Sequence, residues 1–151
     1  MRVAAAGQDA RRAVFGALDY ASGRLCWQVR GAKSGDAFAA FLARVAAAWP
    51  DETLVLVMDN VSYHRSPPVR AWWAAQEGRA VPFWRPAYTP TLNLLERVWR
   101  FLKHKLACHR FWADADGLAA AADGLLSRIE ARFHADPPPS IRLVNNFCQS
   151  A

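Results

Sequence analysis

The sequence predicts an α/β fold in which a mixed sheet, made of an antiparallel hairpin and parallel strands, is flanked by helices. Two short apolar runs lie on either side of a five-residue gap that contains Gly23, a pattern typical of a hairpin loop. Residues 54–58 form an unbroken apolar run, which suits a strand buried on both faces. Elsewhere, apolar side chains recur at helical spacing.

The first half of the chain contains the hairpin, one helix and the buried strand. The hairpin strands are predicted at 12–18 and 24–29. Apolar residues at i, i+3, i+4, i+7 and i+11 then predict an amphipathic helix, which Ser34 or Asp36 can cap and Pro50 ends. Its apolar stripe is Phe38, Phe41, Leu42, Val45 and Trp49. The buried strand follows at 53–58.

The second half adds a helix, a short strand and two further helices. Ser66 precedes two prolines that favour the first turn of a helix, and Gly78 stops that helix. A strand is predicted at 81–84, a helix from about 94 to 106, and a last helix that ends before the prolines at 137–139. We therefore expect one domain over residues 1–135 and a Pro-rich C-terminal tail over 136–151.

Composition favours a basic intracellular protein. The 151 residues are 53% hydrophobic, enough to fill one core, and the formal charge is 19 − 13 = +6. Sixteen of the cations are Arg, the residue suited to bidentate phosphate contacts, so an anionic partner such as nucleic acid is favoured. Three scattered Cys residues argue against a disulfide framework or structural zinc. No apolar stretch reaches the ~20 residues of a membrane span, so we expect a cytoplasmic protein without a membrane partner.

Two carboxylates form the candidate catalytic and metal-binding site. Asp59 directly follows the buried strand, where open α/β sheets bind ligands, and Glu96 opens a later helix. Two acidic side chains at one edge of a sheet predict a divalent-metal site. Each also has a simpler interpretation. Asp59 can cap a turn together with Asn60, and Glu96 can complete a capping box begun by Asn93.

Polar residues near these carboxylates are candidates for nucleic-acid contact. His64, five residues beyond Asp59, either orients a phosphate or water, or makes only local hydrogen bonds. Arg97, Arg100 and Lys103 share one side of the Glu96 helix, and Asn60 is a further candidate. Such a basic stripe can follow a DNA backbone, or it can be an ordinary solvated helix face.

Two motifs follow one another along the chain. The first is the apolar strand followed by Asp-Asn-Val-Ser-Tyr-His at 59–64, and the second spans residues 86–99. Read in this order, they resemble the mariner-type insertion-sequence transposases. The second motif follows that family's Pro-x-Tyr-Ser-Pro-x-Leu-Asn-Pro-x-Glu pattern, except that Thr89 replaces Ser and Leu94 replaces the second Pro. The resemblance covers roughly residues 10–135. It implies a ribonuclease H-like fold and a DDE superendonuclease catalytic domain.

The resemblance implies a specific chemistry. Such enzymes hydrolyse a phosphodiester at a transposon end and join the freed 3′-hydroxyl to target DNA, using two Mg²⁺ or Mn²⁺ ions. Asp59 would share both ions and Glu96 would hold one. The implied partners are transposon-end and target DNA and other transposase subunits. The implied location is a prokaryotic cytoplasm, with association to the nucleoid when the protein is bound to DNA.

One departure from the family concerns its first catalytic Asp, which lies on a strand before the hairpin. About ten residues precede the hairpin here, and neither Asp9 nor Asp19 matches that position. We therefore expect an N-terminally truncated domain that lacks the first strand and is inactive alone. The alternative is a non-catalytic remnant that binds DNA or intact transposase subunits.

Overall fold

A mixed sheet forms the centre of the fold in the computed structural model, which describes residues 12–19, 21–84, 94–107, 114–135 and 144–150. Within these residues the sheet has five strands in the order β2-β1-β5-β3-β4. Their bounds are Ala13–Leu18 (β1), Leu25–Arg30 (β2), Leu54–Met58 (β3), Ala80–Trp84 (β4) and Val144–Ser150 (β5). The β1–β2 and β1–β5 pairs are antiparallel, whereas β3 is parallel to both of its neighbours.

Helices pack against this sheet. They are Gly35–Ala48 (α1), Pro67–Ala75 (α2), Leu94–Ala107 (α3) and Ala115–Ala135 (α4), and a 3-10 helix spans Ser62–Arg65. The Ser34 side chain caps α1 by accepting a hydrogen bond from the Ala37 amide. The Asp114 carboxylate caps α4 in the same way by accepting from the Gly117 amide at 2.6 Å.

The Asp19 carboxylate makes local hydrogen bonds in the hairpin loop. It accepts hydrogen bonds from the Ala21 amide at 2.9 Å and the Ser22 hydroxyl at 2.6 Å. Gly23 then adopts φ = 71°, a conformation that favours glycine. The Asp19 carboxylate therefore serves to hold the turn.

Alternation along β1 directs side chains into two cores. Phe15 and Ala17 face α1 and α2, together with Phe38 and Phe41 of α1. Val14 and Leu18 face the opposite side, where α3 and α4 supply the packing residues. These are Leu95, Val98, Trp99, Leu102, Leu106, Leu118, Ala122 and Leu126. The sheet thus lies between two helical layers at β1, whereas Val55 of β3 and Val81 and Phe83 of β4 are exposed. The expectation that the strand at 54–58 is buried on both faces is therefore wrong at Val55, which is 44% exposed.

β5 was missed by the sequence analysis and lies in the middle of the sheet. Residues 145–150 pair with β1, and residues 144–146 pair with β3. Without this strand the β1–β2 hairpin and the β3–β4 pair would share no backbone hydrogen bonds. The boundary drawn at residue 135 between domain and tail stays a prediction, but β5 belongs to the sheet.

The remaining elements confirm the predicted fold class. The α/β architecture, with an antiparallel hairpin, parallel strands and flanking helices, is compatible with a ribonuclease H-like fold. Asp9 and most of the second motif, residues 86–93, lie outside the described residues. In the described part of the chain, no helix has both the length and the apolar character needed to cross a membrane.

Candidate active site

Asp59 lies at the carboxyl end of a strand within the sheet. β3 has parallel neighbours on both sides, β5 and β4, and the chain leaves the sheet immediately after Met58. Backbone groups past the strand end are free to turn, so a side chain here can face a ligand. The Asp59 side chain keeps 41% of its surface exposed. This is the position that the sequence analysis predicted for it.

His64 approaches Asp59 from the 3-10 helix that follows. Its ring is 1% exposed and packs on Phe38 at 4.1 Å and against Tyr63 at 4.5 Å between centroids. His64 Nδ1 lies 2.9 Å from the Asp59 carbonyl oxygen and 3.3 Å from its carboxylate Oδ1. The chain thus folds back over five residues and places a buried imidazole beneath Asp59.

The two carboxylate oxygens of Asp59 are in different surroundings. Oδ1 is buried and has no hydrogen-bond partner among the described residues, although His64 Nδ1 lies 3.3 Å away. The exposed surface therefore belongs to the remaining atoms, which include Oδ2. A buried, unsatisfied carboxylate oxygen is unfavourable unless a cation or a donor compensates it.

Glu96 lies in the first turn of α3 and is half-buried. Its position is fixed by the apolar face of α3, where Leu95 and Trp99 are almost fully buried against the sheet. α3 contacts β1 and β5, and β5 is the neighbour of β3. The helix that carries Glu96 and the strand that precedes Asp59 therefore both lie next to β5. Asn93, the proposed capping partner of Glu96, lies outside the described residues.

The donor set suits magnesium better than a metal held entirely by protein. Among the described residues, no three His, Cys, Asp or Glu side chains lie close enough together to hold a metal ion. Mg²⁺ usually binds through one or two carboxylates, with water and substrate phosphates completing its shell. The exposed part of Asp59 and the half-buried Glu96 fit that pattern. The shared site itself stays a prediction.

The predicted basic stripe is exposed on the outer side of α3. Arg97, Arg100 and Lys103 recur every three residues and are all exposed, opposite the face that packs on the sheet. Asn60 is also exposed, directly after Asp59. These four side chains are therefore accessible to a phosphate backbone, whereas His64 is not.

Sequence reasoning missed the burial of His64 and a contact made by Arg65. The Arg65 guanidinium lies 5.2 Å from the Trp84 ring and links the 3-10 helix to the end of β4. Burial of His64 could not be read from its neighbours in sequence, because Phe38 comes from α1, which lies 26 residues earlier. No periodic signal marks such a contact.

Known proteins identify the family of this chain. Residues 1–119, which include Asp59, His64 and Glu96, match the family model described as "DDE superfamily endonuclease". The chain belongs to the DDE superfamily of endonucleases. The DDE resemblance predicted from the sequence is thereby confirmed. A relative of this DDE domain is "Insertion element IS630 uncharacterized 39 kDa protein" of Shigella sonnei, 28% identical over 116 residues. The match covers 74% of this chain and 34% of the relative, so the chain spans about a third of that protein's length.

Proposed function

We propose that this chain contains the metal-dependent catalytic domain of a mariner-type DDE transposase, which cleaves DNA at transposon ends and transfers the strand to target DNA. The observation that carries this proposal is the placement of Asp59. Asp59 follows the carboxyl end of β3, a strand within the sheet, and its side chain is partly exposed there. The chain that carries it belongs to an endonuclease family. The relative from an insertion element supports the mobile-DNA setting.

The proposed roles follow from exposure and charge. Asp59 and Glu96 bind the metal through carboxylate oxygens. Arg97, Arg100 and Lys103 bind DNA phosphates, which positions the backbone without selecting a sequence. Divalent ions, Mg²⁺ or Mn²⁺, when bound stabilise the charge that develops on the attacking and leaving oxygens. We further propose that the protein acts on DNA in a prokaryotic cytoplasm together with other transposase subunits.

A non-catalytic role in DNA binding or subunit binding is the second candidate. It is favoured by the observation that no third metal-binding side chain accompanies Asp59 or Glu96 among the described residues. Under this alternative the α3 stripe still binds DNA, but divalent ions have no effect on that binding. The two candidates therefore differ in their dependence on metal.

Mn²⁺ titration with matched variants tests the primary proposal. Asp59→Asn and Glu96→Gln each remove one anionic ligand and keep the shape of the side chain, so each should weaken Mn²⁺ binding at least tenfold. Asp51→Asn and Glu52→Gln are the controls, because both residues are exposed just before the opposite end of β3. Binding is measured by calorimetry, and nicking of supercoiled plasmid DNA is measured alongside it.

The controls should bind Mn²⁺ like the parent chain. If the parent chain binds Mn²⁺ no better than Asp59→Asn, the metal-dependent proposal is wrong. DNA binding that persists unchanged with EDTA, in the same samples, would then support the non-catalytic candidate.

A further inference from the structure

His64 is a buried polar side chain whose burial needs an explanation. It is the one ionisable residue among the most deeply buried large side chains of the described chain, and its ring packs against those of Phe38 and Tyr63. Its Nε2 is buried and has no hydrogen-bond partner among the described residues. An apolar ring would fill this space without leaving an unsatisfied nitrogen. Packing alone therefore does not account for a histidine here.

The surroundings of Nδ1 determine which nitrogen carries the proton. Both polar atoms near Nδ1, the Asp59 carbonyl oxygen at 2.9 Å and carboxylate Oδ1 at 3.3 Å, are acceptors only. Nδ1 must therefore be a donor, since two acceptors cannot form a hydrogen bond. In a neutral ring, the unsatisfied Nε2 is then the unprotonated nitrogen.

An N–H donor at Nδ1 constrains both the backbone carbonyl and the side-chain carboxylate of Asp59. The hydrogen bond to the carbonyl fixes the backbone where the chain leaves β3. The same N–H draws the nearby Oδ1 inward by electrostatic attraction, which leaves the other side of the carboxylate toward solvent. The ring is buried and packs on Phe38 of α1 and on Tyr63, and these contacts restrict its movement.

We propose that His64 is a positioning residue that holds the Asp59 carboxylate in one rotamer, with Oδ1 inward and Oδ2 outward toward the metal. Only the part of this inference that directs Oδ2 toward a metal rests on the proposed function. The fixed rotamer of Asp59 does not depend on whether a metal binds. His64 touches neither metal nor DNA, since its ring is buried. Its role is exerted through Asp59.

Two substitutions of His64 distinguish the effect of its hydrogen-bond donor from the effect of its ring packing. His64→Asn places an amide N–H near the position of Nδ1, although it fills less of the space beside Phe38. His64→Phe keeps a ring in that space but has no donor. A purely structural role predicts that Phe is the better replacement. A positioning role predicts that Asn is the better one.

The first measurement is made without metal. Three-bond couplings from Asp59 Cγ to its backbone nitrogen and carbonyl carbon report the χ1 rotamer, and nitrogen shifts report the His64 tautomer. We expect one χ1 rotamer in the parent chain and in His64→Asn, averaged χ1 in His64→Phe, and a proton on Nδ1. A χ1 angle that is fixed in His64→Phe, or a neutral ring protonated on Nε2 alone, would overturn the inference.

The second measurement is Mn²⁺ affinity in the same three proteins. We expect His64→Phe to weaken binding tenfold or more and His64→Asn to stay within about threefold of the parent. Equal affinity in the parent chain and His64→Phe would contradict the metal step. If the parent chain binds no Mn²⁺, the proposed function fails, whereas the χ1 data still decide whether His64 positions Asp59.

Discussion

Gly16 shows how a single residue determines the packing between β1 and α3. A Cβ built at this position would lie 2.6 Å from Trp99 Cη2 and 2.7 Å from Cζ2. Trp99 is 1% exposed, so its indole ring has no space into which to move. Glycine is therefore needed here to let the indole approach the sheet, and not for its backbone freedom.

Gly16→Ala should destabilise the protein. Overpacking in a core costs about 1–3 kcal/mol, which exceeds the roughly 0.4–1 kcal/mol that alanine contributes by restricting the unfolded chain. We expect a lower free energy of unfolding in urea. Gly31→Ala is the control, since its Cβ would meet nothing within 4 Å. Equal stability of the two variants would show that Trp99 does not pack against Gly16.

Cys26 should make the stability of the fold fall as the pH rises. Burial raises the pKa of the Cys26 thiol, although Arg44 and Arg24 act in the opposite direction. The unfolded chain therefore loses the thiol proton at a lower pH than the folded chain. Stability due to this group is complete below the unfolded pKa, about 8.5, and falls as pH rises toward the folded pKa.

Urea unfolding of the parent chain and Cys26→Ala, measured at intervals from pH 7 to 10.5, checks this sign. The parent chain should lose stability relative to Cys26→Ala as pH rises above about 8.5. Other titrating groups are common to both proteins and cancel in the difference. A difference that stays constant across the range would contradict a raised thiol pKa.

At the residue scale, the sequence was informative where a side chain follows a recognisable pattern. Asp59 could be placed at the end of a strand because the apolar run before it is unbroken. The exposure of Arg97, Arg100 and Lys103 followed from helical spacing. The Asp59–His64 geometry could not be predicted, because it depends on α1 packing behind the imidazole.

At the scale of elements, β5 marks the limit of sequence reasoning. The hairpin, α1, β3, α2, β4, α3 and α4 all carry either helical periodicity or an apolar run, and each was predicted. β5 reads Val-Asn-Asn-Phe-Cys-Gln-Ser, in which four of seven residues are Asn, Gln or Ser. The near-continuous apolar run by which a strand buried on both faces is recognised is absent from this segment. Its place is set by backbone pairing with β1 and β3, which local composition does not reveal.

A proline in β5 tests that central place. Asn146 is paired with Ala17 of β1 and with Met58 of β3. Asn146→Pro removes one amide donor and adds a ring between two paired strands, so we expect a loss of about 1–3 kcal/mol or more. Asn146→Ala changes the side chain and keeps the backbone donor, and serves as the control in thermal unfolding. Similar melting temperatures for the two variants would mean that residue 146 lies outside the paired sheet.

At the scale of the whole molecule, a charge of +6 should appear as salt-dependent DNA binding. Arg97, Arg100 and Lys103 are exposed on one side of α3. Replacing all three with Gln should weaken binding to a random-sequence duplex and reduce the slope of log K against log salt by about 2–3. Fluorescence anisotropy at several salt concentrations measures this slope.

The control for that experiment removes three positive charges at exposed positions outside α3. Arg128, Arg132 and Lys33 are exposed on α4 and on the loop before α1. Their replacement with Gln lowers the net charge equally, and the slope should change by less than in the α3 variant. Equal slopes in both triple variants would assign DNA binding to overall charge and not to α3.

The position of β5 also has a consequence for biosynthesis. Residues 145–150 pair with residues 13–18, so the innermost strand is supplied by the far end of the described chain. During translation the ribosome releases β1 to β4 long before β5, and the two halves of the sheet must wait with unpaired inner edges. Such a high contact order slows folding and leaves the nascent chain open to aggregation, so chaperones that shield exposed strands should matter most while this protein is being made.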